Sequence, residues 1–407
     1  MTQGRSGLGR VLRHAQFRWY LGSWAAASTG YSVFAISIVW VALQSFHSLW
    51  VVGLVLAVER GAFALTFAVA PIADRVRNQR SIFLASYPLQ AIAAAALGLA
   101  AAEHRLSLGL LLGLVAALSM LWDVSWAAAN ASPGILLGPD DQFAAGGLSG
   151  LLGGVNSIAG YAAGGALILV LGAGGGMYLY GALLLVATGF ALPLRIVPPG
   201  RSGESYFASF RNGWSRLAAG VGRPLLQLGA VDALQGFFSA GPVLLLALVA
   251  VRAFGNSAFD YAVLFVAYVI GGVVASVVFA QRNPRGRVGA LLVASLVGSG
   301  LAVAAVGLAD ASLASASAVW FVVGFAQGAY LDAKYAFLRG SVDPGQLGRV
   351  VSNLYLFPGV TSTVGVAVLG VLATRLPTAA FGTDVGVGLL AAGLLGLALP
   401  AVRRLRY

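Results

Sequence analysis

The chain has 407 residues, of which only 9% are Asp, Glu, Lys or Arg and 59% are hydrophobic, whereas soluble proteins carry roughly 25% charged residues. Ionic side chains this sparse cannot cover a soluble globule of that length, so the solvent for most of the chain is lipid. The absence of Cys excludes disulfides, thiolate chemistry and cysteine metal sites, and His14, His47 and His104 are too far apart in sequence to point to a metal site; no metal or cofactor is expected.

The N-terminal basic segment (Arg5, Arg10, Arg13, Arg18) leads into an apolar stretch of about 27 residues, longer than the roughly 7–15 of a signal-peptide core. It therefore reads as a first span and not as a cleaved signal. Segments of about 20 apolar residues predict twelve transmembrane helices: Phe17–Gln44, Leu49–Ile72, Ser81–Ala102, Ser107–Ala131, Gln142–Leu171 and Met177–Ile196, then Pro224–Val249, Ala258–Ala280, Val288–Leu308, Ser312–Leu338, Val350–Ala373 and Phe381–Leu399. Gly172–Gly176 is the expected tight turn between spans 5 and 6. With an inner N-terminus and alternating spans, the inner segments hold 20 basic residues and the outer loops three: Arg105, Arg252 and Arg375. That asymmetry orients the chain with both termini cytoplasmic, in a cell (inner) membrane. It also accounts for the net charge of +12 without a nucleic-acid partner.

The polar connection divides the chain into bundles at 1–196 and 224–407 joined by a linker at 197–223. There Tyr206, Phe207, Phe210, Trp214 and Leu217 recur at helical spacing with Arg211 and Arg216 between them, which suits either an interfacial amphipathic helix or a plain tether. The halves repeat: Arg75 and Arg80 map onto Arg282 and Arg287 at an offset of 207, and Trp122-Asp123 in span 4 maps onto Leu331-Asp332 in span 10 at 209. Parallel repeats of this kind are a transporter architecture with the substrate site near mid-membrane between the halves.

Twelve spans, a 6+6 repeat and the loop Ala70-Pro71-Ile72-Ala73-Asp74-Arg75-Val76-Arg77-Asn78-Gln79-Arg80 resemble the major facilitator superfamily. The loop is similar to that family's Gly-x-Leu-Ala-Asp-Arg motif, departing at Ala70, Asn78 and Gln79. The resemblance implies an all-α fold of two pseudo-symmetric six-helix bundles. It also implies a cytoplasmic gate in which Asp74, Arg75 and Arg80 work with the helix start near Gly348-Arg349-Val350, whose free N–H groups offer a positive dipole end. Phe17-Arg18, the Trp40 region, Gly53-Leu54 and Pro133 through Asp141 narrow the resemblance to the subgroup of enterobactin exporters and macrolide efflux pumps. Span 5 is similar to the glycine pattern of proton-coupled exporters at Gly147, Gly160, Gly164 and Gly165, with Asn156 and Tyr161 departing from it. In span 1 the neutral Tyr31 follows Gly30 where the subgroup often carries an acid.

Ionisable groups within spans are functional-site candidates by default. Glu59, Asp123, Asp232 and Asp332 are candidates for proton coupling or substrate contact. Their structural alternative is ion pairing or hydrogen bonding that holds helices together, with Arg60, Lys334 or a Trp N–H as partner. Arg60 adjoins Glu59 but points about 100° away, which predicts a different partner for it. The family's cavity-lining spans 1, 4, 7 and 10 contribute Trp24, Tyr31, Trp122, Trp126, Gln235, Phe237, Phe238, Gln327, Tyr330, Lys334 and Tyr335. Aromatic walls with few polar groups suit a hydrophobic or amphipathic small molecule. The resemblance implies a monomeric secondary transporter exporting such a molecule against proton influx. Import of an organic solute by uniport or proton symport is the alternative, and a membrane enzyme or scaffold is disfavoured because no Ser–His–Asp set, His-Glu-x-x-His or phosphate-loop pattern occurs.

Overall fold

Lipid offers no hydrogen-bond partner to a peptide group, so a chain of this composition must satisfy its backbone within each segment. The computed structural model describes residues 7–64, 76, 78–138, 141–197, 222–255, 257–282, 288–306, 312–341, 344–403 and 405. Among them there is no strand, and eleven helices are long and apolar enough to cross a membrane; the chain is a multi-pass membrane protein. The helices are α1 (Gly7–Val11), α2 (Ala15–Phe46), α3 (Leu49–Ala64), α4 (Arg80–Ala102), α5 (Leu108–Leu136), α6 (Gln142–Leu171) and α7 (Ala173–Ala191). They continue as α8 (Gly222–Phe238), α9 (Gly241–Arg252), α10 (Ala258–Arg282), α11 (Val288–Val306), α12 (Leu313–Ser341), α13 (Pro344–Arg375), α14 (Thr378–Ala398) and α15 (Pro400–Arg403).

Most predicted spans lie within single helices. The second is described only as far as Ala64, and the remainder of Leu49–Ile72 and most of 197–223 lie outside the described residues. Span 7 crosses as one apolar stretch, Pro224–Arg252, broken into α8 and α9 at the turn Ser239–Ala240, where Pro242 lacks an N–H and supports a fresh helix start. One expectation is corrected. The turn between spans 5 and 6 is a single residue, Gly172, at φ 72°; Ala173 through Gly176 already belong to α7. At the other end of the first half, α5 starts at a capped turn in which the Ser107 hydroxyl accepts from the Leu110 N–H at 3.2 Å.

The helices pack into two compact units, Met1–Phe46 with Leu65–Gly203, and His47–Ala64 with Glu204–Tyr407. In the first, α2 packs on α6 and α7, and α4 on α5 and α7. In the second, α8 packs on α13 and α14, and α11 on α12 and α14. The four pairings are the same under the sequence repeat, so the duplication is one of packing as well as of residues. The second unit also contains α3, which lies along α13. Their backbones nearly touch: a methyl group added to Gly53 would lie 2.7 Å from Gly370 Cα.

Outward faces stay apolar, with Ile92 67% and Val170 75% exposed, as lipid requires. Lipid tails provide no hydrophobic drive for helix association, so close backbone approach between small residues takes its place. Gly324 and Gly328 of α12 meet Tyr268 and Gly272 of α10, where added methyls would lie 2.6 Å from the Tyr268 carbonyl carbon and 2.8 Å from Gly272 Cα. Gly324→Ala is therefore expected to lower thermal stability in detergent by about 1–3 kcal/mol. Gly113→Ala on α5, which has nothing within 4 Å, should leave it unchanged or slightly raised.

Candidate functional site

In the second unit, five polar side chains and a serine converge inside the bundle. Gln327, Tyr330 and Lys334 stand at i, i+3 and i+7 on one face of α12. Asp232 and Gln235 stand at i and i+3 on α8, and Ser299 comes from α11. The Lys334 ammonium lies 3.3 and 3.4 Å from the two oxygens of the Asp232 carboxylate, and their side chains are 5% and 0% exposed. Tyr330 donates its hydroxyl proton to the same carboxylate. Its ring centroid lies 5.8 Å from the ammonium, within cation–π range. The same faces of α8 and α12 carry a second set of bonds: Gln235 donates to the Gln327 carbonyl at 3.3 Å, and Gln327 donates to Ser299 at 3.1 Å. Gln235 is its half-buried end.

In this arrangement Lys334 pairs with Asp232. Asp332 is two residues away and therefore on another side of α12, half-buried. Arg60 Nε lies 3.9 Å from the carboxylate of its neighbour Glu59. Phe238 packs against Gly388 of α14, and Tyr335 is half-buried on α12.

In the first unit the structure brings together Trp24 and Tyr31 of α2 and Trp122 of α5. Tyr31 stacks on Trp122 at 4.2 Å and 11°, and Trp24 stacks at 6.5 Å and 24°. Asp123 beside them is buried, and Trp126 half-buried. Gly160 and Gly164 bring α6 onto α2, where added methyls would lie 2.5 Å from the Thr29 carbonyl oxygen and 2.7 Å from Ile36. Gly165 is buried, and the surroundings of Gly147 lie outside the described residues. Asn156, where the exporter pattern has Gly, donates to Ser28 at 2.8 Å.

Of the loop motif, Asp74 and Arg75 lie outside the described residues, while Arg80 opens α4. The helix start expected near Gly348-Arg349-Val350 lies earlier in the chain. Helix α13 begins at Pro344, so Gly348 and Arg349 fall beyond the four N-terminal residues whose N–H groups are free. Asn78 and Gln79, departures from the family pattern, are tied into the inner end of the unit. Asn78 Oδ1 accepts from the Arg80 and Ile196 N–H groups at 3.1 and 3.2 Å, and buried Gln79 accepts from Ser132 at 3.2 Å. Sequence reasoning missed a second buried network in which Tyr180 donates to Gln90 at 2.8 Å and Gln90 donates to Ser125 at 3.3 Å. A lone Gln in the middle of an otherwise apolar span was its signal. Among the described residues no group of three His, Cys, Asp or Glu could hold a metal.

No protein-family model matches the sequence, and no curated protein matches it significantly. In structure the chain is similar to the nucleoside transporter NupG, with a TM-score of 0.71 at 12% identity over 94% of this chain and 98% of that one. It is also similar to a POT family transporter in complex with 5-aminolevulinic acid, with a TM-score of 0.72 at 11% identity over 97% of this chain and 96% of that one. The chain thus shares the all-helical membrane fold of these two transporters.

Two buried opposite charges stabilise each other only as a pair; removing one strands the other in a low-dielectric interior. Asp232→Ala should therefore cost about 3–5 kcal/mol of stability in detergent, whereas Asp232→Leu combined with Lys334→Met should restore most of it. Thermal unfolding of both variants checks this.

Proposed function

We propose that this chain is a secondary transporter that works by alternating access and exports a hydrophobic or amphipathic small molecule in exchange for protons. The observation that carries the reading is the Asp232–Tyr330–Lys334 cluster, an ionisable group of three inside the spans. Ionisable side chains in hydrocarbon are costly and mark ion or substrate pathways, and this one sits in a fold shared with a nucleoside transporter and a POT family transporter. In this reading Asp232 belongs to the proton-coupling centre. Glu59, Asp123 and Asp332 are further coupling or substrate contacts, and Trp24, Tyr31, Trp122 and Trp126 form an aromatic surface for the substrate. Gln235, Gln327 and Tyr335 supply polar contacts to it, while Phe238 is assigned to packing.

Export follows from the resemblance to enterobactin and macrolide exporters, and the glycines of span 5 support it by seating α6 closely on α2. The protein resides in the inner membrane as a monomer, with both termini in the cytoplasm. The units of the working cycle are the halves 1–196 and 224–407 joined by 197–223, and Asp74, Arg75, Arg80, Gly348 and Arg349 form its cytoplasmic gate. Proton-coupled uptake of an organic solute is the second reading, favoured by likeness in fold to the nucleoside and POT family transporters.

Proteoliposomes carrying an imposed proton gradient distinguish the two. Export by antiport requires that candidate solutes move against the proton flow, and that Asp232→Asn abolishes gradient-driven flux while downhill exchange of solute persists. Solute moving with the protons establishes the second reading, and gradient-driven flux that survives Asp232→Asn removes Asp232 from the coupling centre.

A further inference from the structure

The chain has 24 arginines and one lysine, and that lysine is Lys334, buried against Asp232. The difference between the two side chains is chemical. A guanidinium stays protonated in proteins, whereas a buried ammonium can give up its proton. The one basic position enclosed with a carboxylate inside the second unit is thus the one that holds a base able to deprotonate. The carboxylate is the anchored partner, since it accepts from both Tyr330 and Lys334.

We infer that Lys334 is the proton carrier of the transport cycle, and that the substrate group exchanged for its proton is an organic cation. This rests on the transport reading above and specifies its centre. The cation takes the ammonium's place on the Asp232 carboxylate. One Lys334 Nζ–H bond breaks with its electron pair kept on nitrogen, and the proton leaves to water. The buried site is neutral before the exchange, as carboxylate with ammonium, and neutral after it, as carboxylate with bound cation and a neutral amine. No step leaves an isolated charge in a low-dielectric interior. The Asp232 carboxylate favours a positive ligand over an anion, and the Tyr330 ring beside the ammonium offers a cation–π surface.

The titratable groups on this stretch and on the elements packed against it are few among the described residues. They are Tyr330, Asp332, Tyr335 and Arg339 on α12, Asp232 and Arg223 on α8, Tyr261 and Tyr268 on α10, and Arg349 and Tyr355 on α13, with none on α11; Asp260 and Arg282 lie at the ends of α10 and Arg375 at the end of α13.

The test is calorimetric titration of the full chain in lipid nanodiscs with tetraphenylphosphonium, and with tetraphenylborate as an anion of the same shape. Buffers of different ionisation enthalpy report the protons released. Wild type should release one proton per tetraphenylphosphonium bound, with affinity rising about tenfold per pH unit while Lys334 is charged. Lys334→Arg keeps the ion pair and the fold, and should show neither proton release nor pH dependence. Four results overturn the inference: tetraphenylphosphonium binding without proton release, release that persists in Lys334→Arg, binding of tetraphenylborate with proton uptake, or no binding of the cation between pH 5 and pH 9. Binding needs no translocation. Proton release without gradient-driven flux therefore defeats the transport reading alone, and gradient-driven flux that survives Lys334→Arg defeats this inference alone.

Discussion

Inside a bilayer an unpaired peptide N–H or C=O has no water to bond, at a cost of several kcal/mol for each group. That constraint shapes the rest of the molecule. It makes every described span a helix that satisfies its own backbone, and it removes the hydrophobic drive that would press those helices together in water. Attraction must then come from close contact, which is why glycine does structural work here that it seldom does in soluble helices. Gly53 against Gly370, Gly160 and Gly164 against α2, and Gly324 and Gly328 against α10 all sit where a single methyl group would meet a neighbouring backbone or side chain. The helix propensity lost at each glycine, about 1 kcal/mol, is offset by backbone contact that larger residues would hold apart.

The same low dielectric governs the side chains. Several polar groups within the spans gather into buried clusters. Tyr180, Gln90 and Ser125 form one in the first unit, and Asp232, Tyr330 and Lys334 form another in the second. The first is made of neutral hydrogen-bonding groups, whereas the second pairs a carboxylate with an ammonium, and two such charges stabilise each other only as a pair.

The fold was legible in the sequence because its signals are long. Apolar stretches of about 20 residues, the bias of arginine to alternate connections and the 207-residue repeat each sum over many positions, so local exceptions do little harm. The site was legible only in part. Asp232, Gln235, Gln327, Tyr330 and Lys334 were all visible as polar groups in apolar spans, but their pairing depends on how α8 and α12 rotate toward each other, and hydropathy carries no such information. The division of span 7 was marked by Gly241-Pro242, but a proline within a span bends some helices and ends others. Pro88, Pro133 and Pro358 all lie inside continuous helices, so only the packing decides.

The repeat bears on where a functional centre can arise. At the offset of 209 that aligns Asp123 with Asp332, Lys334 aligns with Ser125 and Tyr330 with Leu121. Asp123 and Asp332 are thus the duplicated acids, while the ion pair of the second unit uses positions at which the two halves differ. Ser125 and Lys334 nevertheless both point into a buried polar network, one through a hydroxyl and the other through an ammonium. Duplication supplied a shared geometry, an inward-facing position on the fourth helix of each half. Divergence then placed a charge at only one of the two. A second ammonium at Ser125 would need a second buried carboxylate opposite it, and the first unit offers a glutamine amide there instead. Among the described residues the buried Asp232–Lys334 pair thus has no counterpart at the repeat-related position Ser125 of the first unit.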